Sequence, residues 1–123
     1  MIQNPAGAWG EIFAARYLRD QGYDIAAANY RSRFGEIDIV ASDGRCLVFI
    51  EVKARSDGMI AAPGESVDLR KQKKISATAA DFLSKHPTEL YARFDVIEVY
   101  LDREHRLKKI EHIKSAFDAE SGW

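Results

Sequence analysis

Apolar and polar positions follow different rhythms along this chain, and the changes of rhythm mark its elements. Trp9–Gln21 has no Gly or Pro after Gly10 and is rich in Ala, Leu, Glu and Arg, which predicts a helix. Gly22 stands where such a helix commonly ends in the left-handed conformation. Tyr23–Arg31 then predicts a first strand, weakened by the alanines 26–28, which have low strand preference. Gly35–Ala41 and Arg45–Ala54 are two β-rich runs joined by Ser42-Asp43-Gly44, and an Asp-Gly pair between apolar strands signals a hairpin. Within its second arm Leu47-Val48-Phe49-Ile50 is continuously apolar, so that strand is expected to be buried on both faces.

Beyond the hairpin, Ser56–Glu65 is rich in Gly, Ala and Pro and reads as a loop. Val67–His86 has helical composition and is closed by Pro87. Arg93–Leu101 predicts a further strand, and Leu107–Ile113 a weaker one after the polar turn Asp102–Arg106. The order helix, strand, hairpin, helix, strand, strand implies an α/β fold, a mixed sheet with helices packed on it.

Composition narrows the picture. A chain of 123 residues that is 46% hydrophobic can bury one core, so residues 1–123 are read as one domain. The net charge of -1 excludes a global positive field, and any nucleic-acid contact must come from local clustering of cations. The single Cys46 cannot form an intramolecular disulfide, and Met1–Trp9 has neither a basic nor an apolar leader region; a cytoplasmic protein is expected. No apolar run approaches the roughly 20 residues needed to cross a bilayer, so no membrane partner is expected.

The candidate chemistry lies on the hairpin. Side chains alternate along a strand, so Glu36 and Asp38 share one face, and Glu51 and Lys53 share one face with Leu47 and Phe49. A tight turn at Asp43-Gly44 would set Asp38 near the Val48–Ile50 segment, with Glu51 close by through twist and slant. Charges at the end of a doubly buried strand are expensive unless paired or metal-bound. Hard divalent ions such as Mg²⁺ or Mn²⁺ take oxygen ligands and commonly use one or two carboxylates, which Asp38 and Glu51 supply. Lys53 is then expected to act as an ammonium that orients water or stabilises developing negative charge. Taken alone, a Glu-x-Lys on a strand is usually a solvated ion pair. The conjunction on one central hairpin is what points to a site.

These residues resemble a known signature. Gly35-Glu36-Ile37-Asp38-Ile39-Val40-Ala41, followed by Leu47-Val48-Phe49-Ile50-Glu51-Val52-Lys53-Ala54-Arg55, resembles that of the bacterial YraN-like family. The likeness extends to Gly7-Ala8-Trp9-Gly10-Glu11, Ala15-Arg16-Tyr17-Leu18, Lys71, Arg93-Phe94-Asp95-Val96 and His112-Ile113 with Ala116-Phe117. Ser115, where the family often has Asn, and a slightly long loop at Ser56–Glu65 depart from the pattern without touching the metal site. That family is grouped with the PD-(D/E)XK nucleases and is similar to archaeal Holliday-junction resolvases. The resemblance implies a restriction-endonuclease-like sheet flanked by helices, endonuclease activity with Mg²⁺ or Mn²⁺, and a site of Glu11, Asp38, Glu51 and Lys53. It implies a nucleic-acid partner, DNA before RNA and branched DNA among the candidates, and leaves a homodimer open.

Other residues are weighed physically. Glu11 shares a helical face with Gly7, Ala8, Ala14, Ala15 and Leu18, which favours an inward acid, whereas the stripe Trp9, Phe13, Tyr17 offers a competing core face that would leave Glu11 in water. Arg70-Lys71-Gln72-Lys73-Lys74 is the only dense basic run; Arg70, Lys71, Lys73, Lys74 and, on the strand, Arg55 are the candidates for gripping a phosphate backbone. Such a run is commonly just a solvated helix face, and Lys71, in line with Ile75, Thr78 and Phe82, could instead snorkel from an apolar surface. Asp95 reads as structural, and His86, His105, His112 and Cys46 receive no role. The rival to a nuclease is a non-catalytic nucleic-acid-binding module within a repair, recombination or uptake assembly.

Overall fold

The computed structural model describes residues 5–56 and 67–119. The elements are α1 (Pro5–Asp20), β1 (Asp24–Ser32), β2 (Gly35–Ser42), β3 (Cys46–Ser56), α2 (Leu69–Lys85), β4 (Tyr91–Leu101) and β5 (Leu107–Phe117). The expected loop at Ser56–Glu65 lies, past Ser56, outside the described residues.

The strands form a five-stranded sheet in the order β1-β2-β3-β4-β5. Neighbours run antiparallel except β3 and β4, which are parallel because α2 carries the chain across between them. The expected mixed α/β layout is the one found. α1 covers one face, packing Ala14 and Leu18 against Val48, Ile50, Ile97 and Val99. α2 covers the other, packing Ile75, Ala79 and Phe82 against Leu47, Phe49, Phe94 and Val96. β3, in the middle, therefore sends Val48 and Ile50 to one core and Leu47 and Phe49 to the other, which is why its sequence shows no polar alternation.

Local chemistry explains the ends of the elements. α1 closes on Gly22 at φ 91°, where the Tyr23 N–H donates to Leu18 O at 2.9 Å and the Gly22 N–H to Arg19 O at 3.0 Å. The β2–β3 turn holds Asp43 Oδ1 as acceptor for the Arg45 and Cys46 N–H groups at 2.9 and 2.7 Å. α2 starts on Asp68, whose carboxylate accepts the Lys71 N–H at 2.8 Å.

Two elements extend about four residues past an end that their sequence patterns predict. α1 begins at Pro5, not Trp9, because proline is tolerated in a first turn and Gly10 is required by packing. A Cβ built on Gly10 would stand 2.9 Å from the Ala54 Cβ, closer than real Cβ contacts, so the helix backbone rests directly on the Ala54 methyl of β3 at this point. β5 continues to Phe117 rather than ending near Ile113, since Lys114–Ala116 are exposed on an edge strand and carry no alternation, while Phe117 stacks on Phe94 with centroids 5.1 Å apart.

Candidate active site

The site arises where the sheet forks. β2 and β3 pair from Ser42↔Leu47 to Ile39↔Ile50 and no further. Upstream of Ile39, β2 keeps only β1, with pairing to Ser32↔Gly35; beyond Ile50, β3 keeps only β4, with pairing to Ser56↔Leu101. Asp38 and Glu51 are the first residues past the last rung. There the Asp38 carboxylate replaces the missing backbone acceptor and takes the Val52 N–H at 2.8 Å.

This places two carboxylates together at a partly buried position. Burial pushes the Asp38 carboxyl up to about 7, with the Glu51 charge adding to the rise and the Val52 hydrogen bond opposing it. Glu51 is itself buried, 7% exposed. Its Oε1 lies 2.6 Å from the Lys71 ammonium. Burial draws the Lys71 pKa down, but the hydrogen bond and charge of Glu51 outweigh it and hold the group above the usual lysine range, with Asp38 contributing.

Gly35, Glu36, Asp38, Glu51, Lys71, Lys74 and Ile75 line a pocket of about 300 Å³ over these acids. Gly35 is favoured here by its φ of 154°, which L side chains rarely adopt; a Cβ would make only ordinary contacts with Thr78 Oγ1 at 3.4 Å and Lys74 Cβ at 3.5 Å.

Glu11 approaches from α1, and the choice between its two faces is settled by packing. Ala6, Gly10, Ala14 and Leu18 are the buried line of the helix, Trp9 is 41% exposed, and Glu11 lies at the border of the packed face. Burial raises the Glu11 pKa, and the charges of Glu36 and Glu51 raise it further. Asn29, with its amide NH₂ turned toward the acids, bridges Glu11 Oε1 at 2.8 Å and Glu36 Oε1 at 2.9 Å. Asn29 holds φ 53°, a conformation that asparagine tolerates better than most residues.

Lys53 follows Glu51 on the same face of β3 but lines a neighbouring cavity of about 330 Å³ with Val67, Gln72, Val96 and Glu98. Its side chain comes close to that of Lys71, which lines the acid pocket. The basic run of α2 divides. Lys71 and Lys74 face the pocket, whereas Arg70 and Lys73 are exposed on other sides of the helix. Arg55 sits 3.7 Å from Glu98.

The profile of the uncharacterised protein family UPF0102 matches residues 10–99. The chain belongs to that family, the YraN-like proteins. A UPF0102 protein of Porphyromonas gingivalis is 46% identical over 114 residues, covering 93% of this chain and 84% of its own. One from Moorella thermoacetica is 46% identical over 118 residues, covering 95% and 98%. Another, from Caldicellulosiruptor bescii, is 41% identical over 114 residues, covering 90% and 95%. The UPF0102 match spans every residue of the fork, from Glu11 to Lys74.

Sequence reasoning passed over two groups in this UPF0102 chain. Asn29 and Glu36 were without an assigned role; the period of two that pairs Glu36 with Asp38 was a usable signal, and nothing local pointed to Asn29. The second group is a buried polar chain on the α1 face. The Arg93 guanidinium donates to both Asp95 oxygens at 2.9 Å and to Tyr23 Oη at 2.8 Å. His112 Nε2 lies 2.7 Å from Asp95 Oδ2, and its Nδ1 lies 2.9 Å from Tyr17 Oη. The Ser115 N–H, at a bulge of β5 where φ is 52°, closes the ring on Asp95 Oδ1 at 3.0 Å. Asp95 thus has the structural role expected of it, and His112 has a role in the same network. Among the described residues no helix is long and apolar enough to cross a membrane.

Proposed function

We propose that the fork is the active site of a divalent-metal-dependent endonuclease that hydrolyses phosphodiester bonds, with DNA as substrate. The observation that carries this reading is the forced meeting of Asp38 and Glu51 at the end of a buried strand, with Lys53 next on the same face. Two acids so placed that one resists ionising up to about pH 7 form a donor set short of positive charge. They fit Mg²⁺ or Mn²⁺, which bind carboxylate oxygens and retain several waters.

Asp38 and Glu51 would hold the ion, which when bound supplies polarisation of the phosphodiester and a lowered pKa for water. The remaining chemistry belongs to this chain. Lys71, released from Glu51, and Lys74 are positioned at the pocket wall to hold the phosphates. Lys53 contributes a fixed ammonium against charge developing at the phosphorus oxygens. Glu11, tied through Asn29 to Glu36, supplies a third acid at the mouth of the fork.

The test is incubation of the purified protein with single-stranded, duplex, flap and four-way-junction DNA in Mg²⁺ and Mn²⁺, beside Lys53→Ala. Cleavage by the wild type that disappears in the variant supports the assignment. Metal-independent cleavage, or equal cleavage by both proteins, refutes it.

One observation favours a second reading. The Lys71–Glu51 ion pair at 2.6 Å neutralises part of the acid charge from within the chain, as a non-catalytic binding module would need. Nucleic-acid binding without cleavage on every substrate would select that reading.

A further inference from the structure

The β1–β2 hairpin tip carries an exposed aromatic ring with no place in either core. Phe34 is 40% exposed and belongs to neither apolar cluster. A phenyl ring left at a hairpin tip gains little from folding. The Arg33 guanidinium lies over it, 4.8 Å from the ring centroid, and the turn is fixed by the Phe34 N–H donating to Ser32 Oγ at 3.0 Å. Arg31, whose side chain is 77% exposed, adds a second cation and rests 3.4 Å from Glu36.

The tip adjoins the acid pocket through its packing on α2. Gly35, the next residue, lies against Lys74 and Thr78 of α2, and Ser32 Oγ is 3.4 Å from Thr78 Oγ1. Glu36 and Asp38 follow on the same strand and line the pocket with Lys71 and Lys74. A path therefore runs from ring and guanidinium, past Lys74, to the two carboxylates. It is cationic at its outer end in a chain whose net charge is -1.

We propose that Phe34 and Arg33 form a stacking platform for an unpaired nucleobase of the strand whose phosphate enters the acid pocket. Every nucleobase presents a π-face that stacks on aromatic rings and guanidinium planes, and the flanking arginines match the phosphates on either side. A base inside a continuous duplex has both faces occupied by its neighbours, so the platform selects strands with splayed or single-stranded bases near the cut. This inference rests on the nuclease reading and specifies its substrate class.

The test measures binding of Phe34→Ala and Phe34→Tyr to a short single-stranded DNA containing 2-aminopurine, and to the same strand annealed into a duplex, in Ca²⁺ across a salt series. The Ala variant is expected to lose about tenfold in single-strand affinity, with the 2-aminopurine signal of the complex, while its duplex affinity and salt slope stay at the wild-type values. Phe34→Tyr, which keeps a ring, is expected to bind as the wild type does. Arg33→Ala should lower affinity for both forms and flatten the salt slope. Wild-type single-strand affinity in a folded Phe34→Ala protein overturns the platform and leaves the nuclease reading standing. Equal losses on single strand and duplex overturn it as well. A wild-type protein that binds neither DNA removes the nuclease reading, and the platform with it.

Discussion

The ammonium of Lys71 lies 2.6 Å from Glu51 Oε1, in the position from which a cation would neutralise the buried carboxylates. Lysine and a divalent ion therefore compete for the same oxygen. Lys71→Met keeps the stem and removes the competitor, so Mn²⁺ affinity should rise, about tenfold, when measured by calorimetry. DNA affinity should fall at the same time, because the cation freed for phosphate is gone. Without metal the variant should lose about 1 kcal/mol of stability at pH 8, a modest loss because the Lys71 side chain is 44% exposed. Mn²⁺ affinity unchanged or lowered in Lys71→Met would show that the lysine does not stand in for the ion.

Asp38 makes stability depend on pH in a definite direction. Its folded pKa, raised to about 7 by burial and by Glu51, exceeds its ordinary 3.8, so the folded state holds the proton more tightly. Its contribution is fully present below about 3.8 and is lost as pH rises through about 7, amounting to at most a few kcal/mol. Asp38→Asn, whose carbonyl can still accept the Val52 N–H, should therefore melt higher than the wild type at pH 8 and lose the difference near pH 4. Mn²⁺ affinity in the wild type should climb with pH through about 7, since the metal must displace the Asp38 proton, and be lost in Asp38→Asn. Melting curves of the two proteins that stay parallel across this range would contradict the account.

Lys53 sits beyond Glu51 on β3, in the cavity next to the acid pocket and close to Lys71. Replacement by Met removes charge while keeping the aliphatic stem. Lys53→Met should still bind DNA and Mn²⁺ but cleave more slowly by a factor of about 10² or more, the scale of one lost electrostatic contributor. Single-turnover rates at saturating metal measure this directly, and normal rates would reduce Lys53 to a counter-ion.

The Gly10–Ala54 contact sets how closely α1, and with it Glu11, approaches β3. Gly10→Ala should gain up to about 1 kcal/mol of helix propensity and yet destabilise the protein, because the added Cβ falls 2.9 Å from the Ala54 Cβ. Adding Ala54→Gly should recover part of the loss, a coupling that urea denaturation of the double-mutant cycle would reveal. Strictly additive effects would mean that the helix shifts freely.

Asp95 titrates the other way from Asp38. Burial alone would raise its pKa, but hydrogen bonds from His112, Arg93 and the Ser115 N–H bring it below its ordinary 3.8. Its stabilisation is present above about 3.8 and is lost as pH falls through the lower folded value. Asp95→Ala, which strands the Arg93 charge in a largely buried setting, should cost about 3–5 kcal/mol by urea denaturation at neutral pH. A loss under about 1 kcal/mol would show that Tyr23 Oη at 2.8 Å and the Asp43 carboxylate at 3.1 Å suffice to hold the Arg93 charge.

Periodicity and turn chemistry by themselves determined the elements and much of the sheet. Asp43-Gly44 dictated a hairpin because few other pairs accept that turn, and Leu47–Ile50 declared a strand covered on both faces because no polar residue interrupts it. Gly22 ended a helix because only its missing Cβ makes the left-handed turn inexpensive. The closeness of Asp38 and Glu51 was legible, since alternation on two paired strands restricts where their side chains point, whereas Lys53 lines the neighbouring cavity. Tertiary structure alone decided the rest. That β2 and β3 part beyond Ile39↔Ile50, and that the β1–β2 hairpin packs on α2 at Gly35, appears only in the folded sheet. The division of the α2 lysines, the bridge from Asn29 to Glu11 and Glu36, and the ring of Tyr17, Tyr23, Arg93, Asp95 and His112 each join residues from separate elements. No local pattern encodes such contacts, because hydrogen-bond geometry and ion pairing act over a few ångströms in space between residues as much as 95 positions apart in the chain.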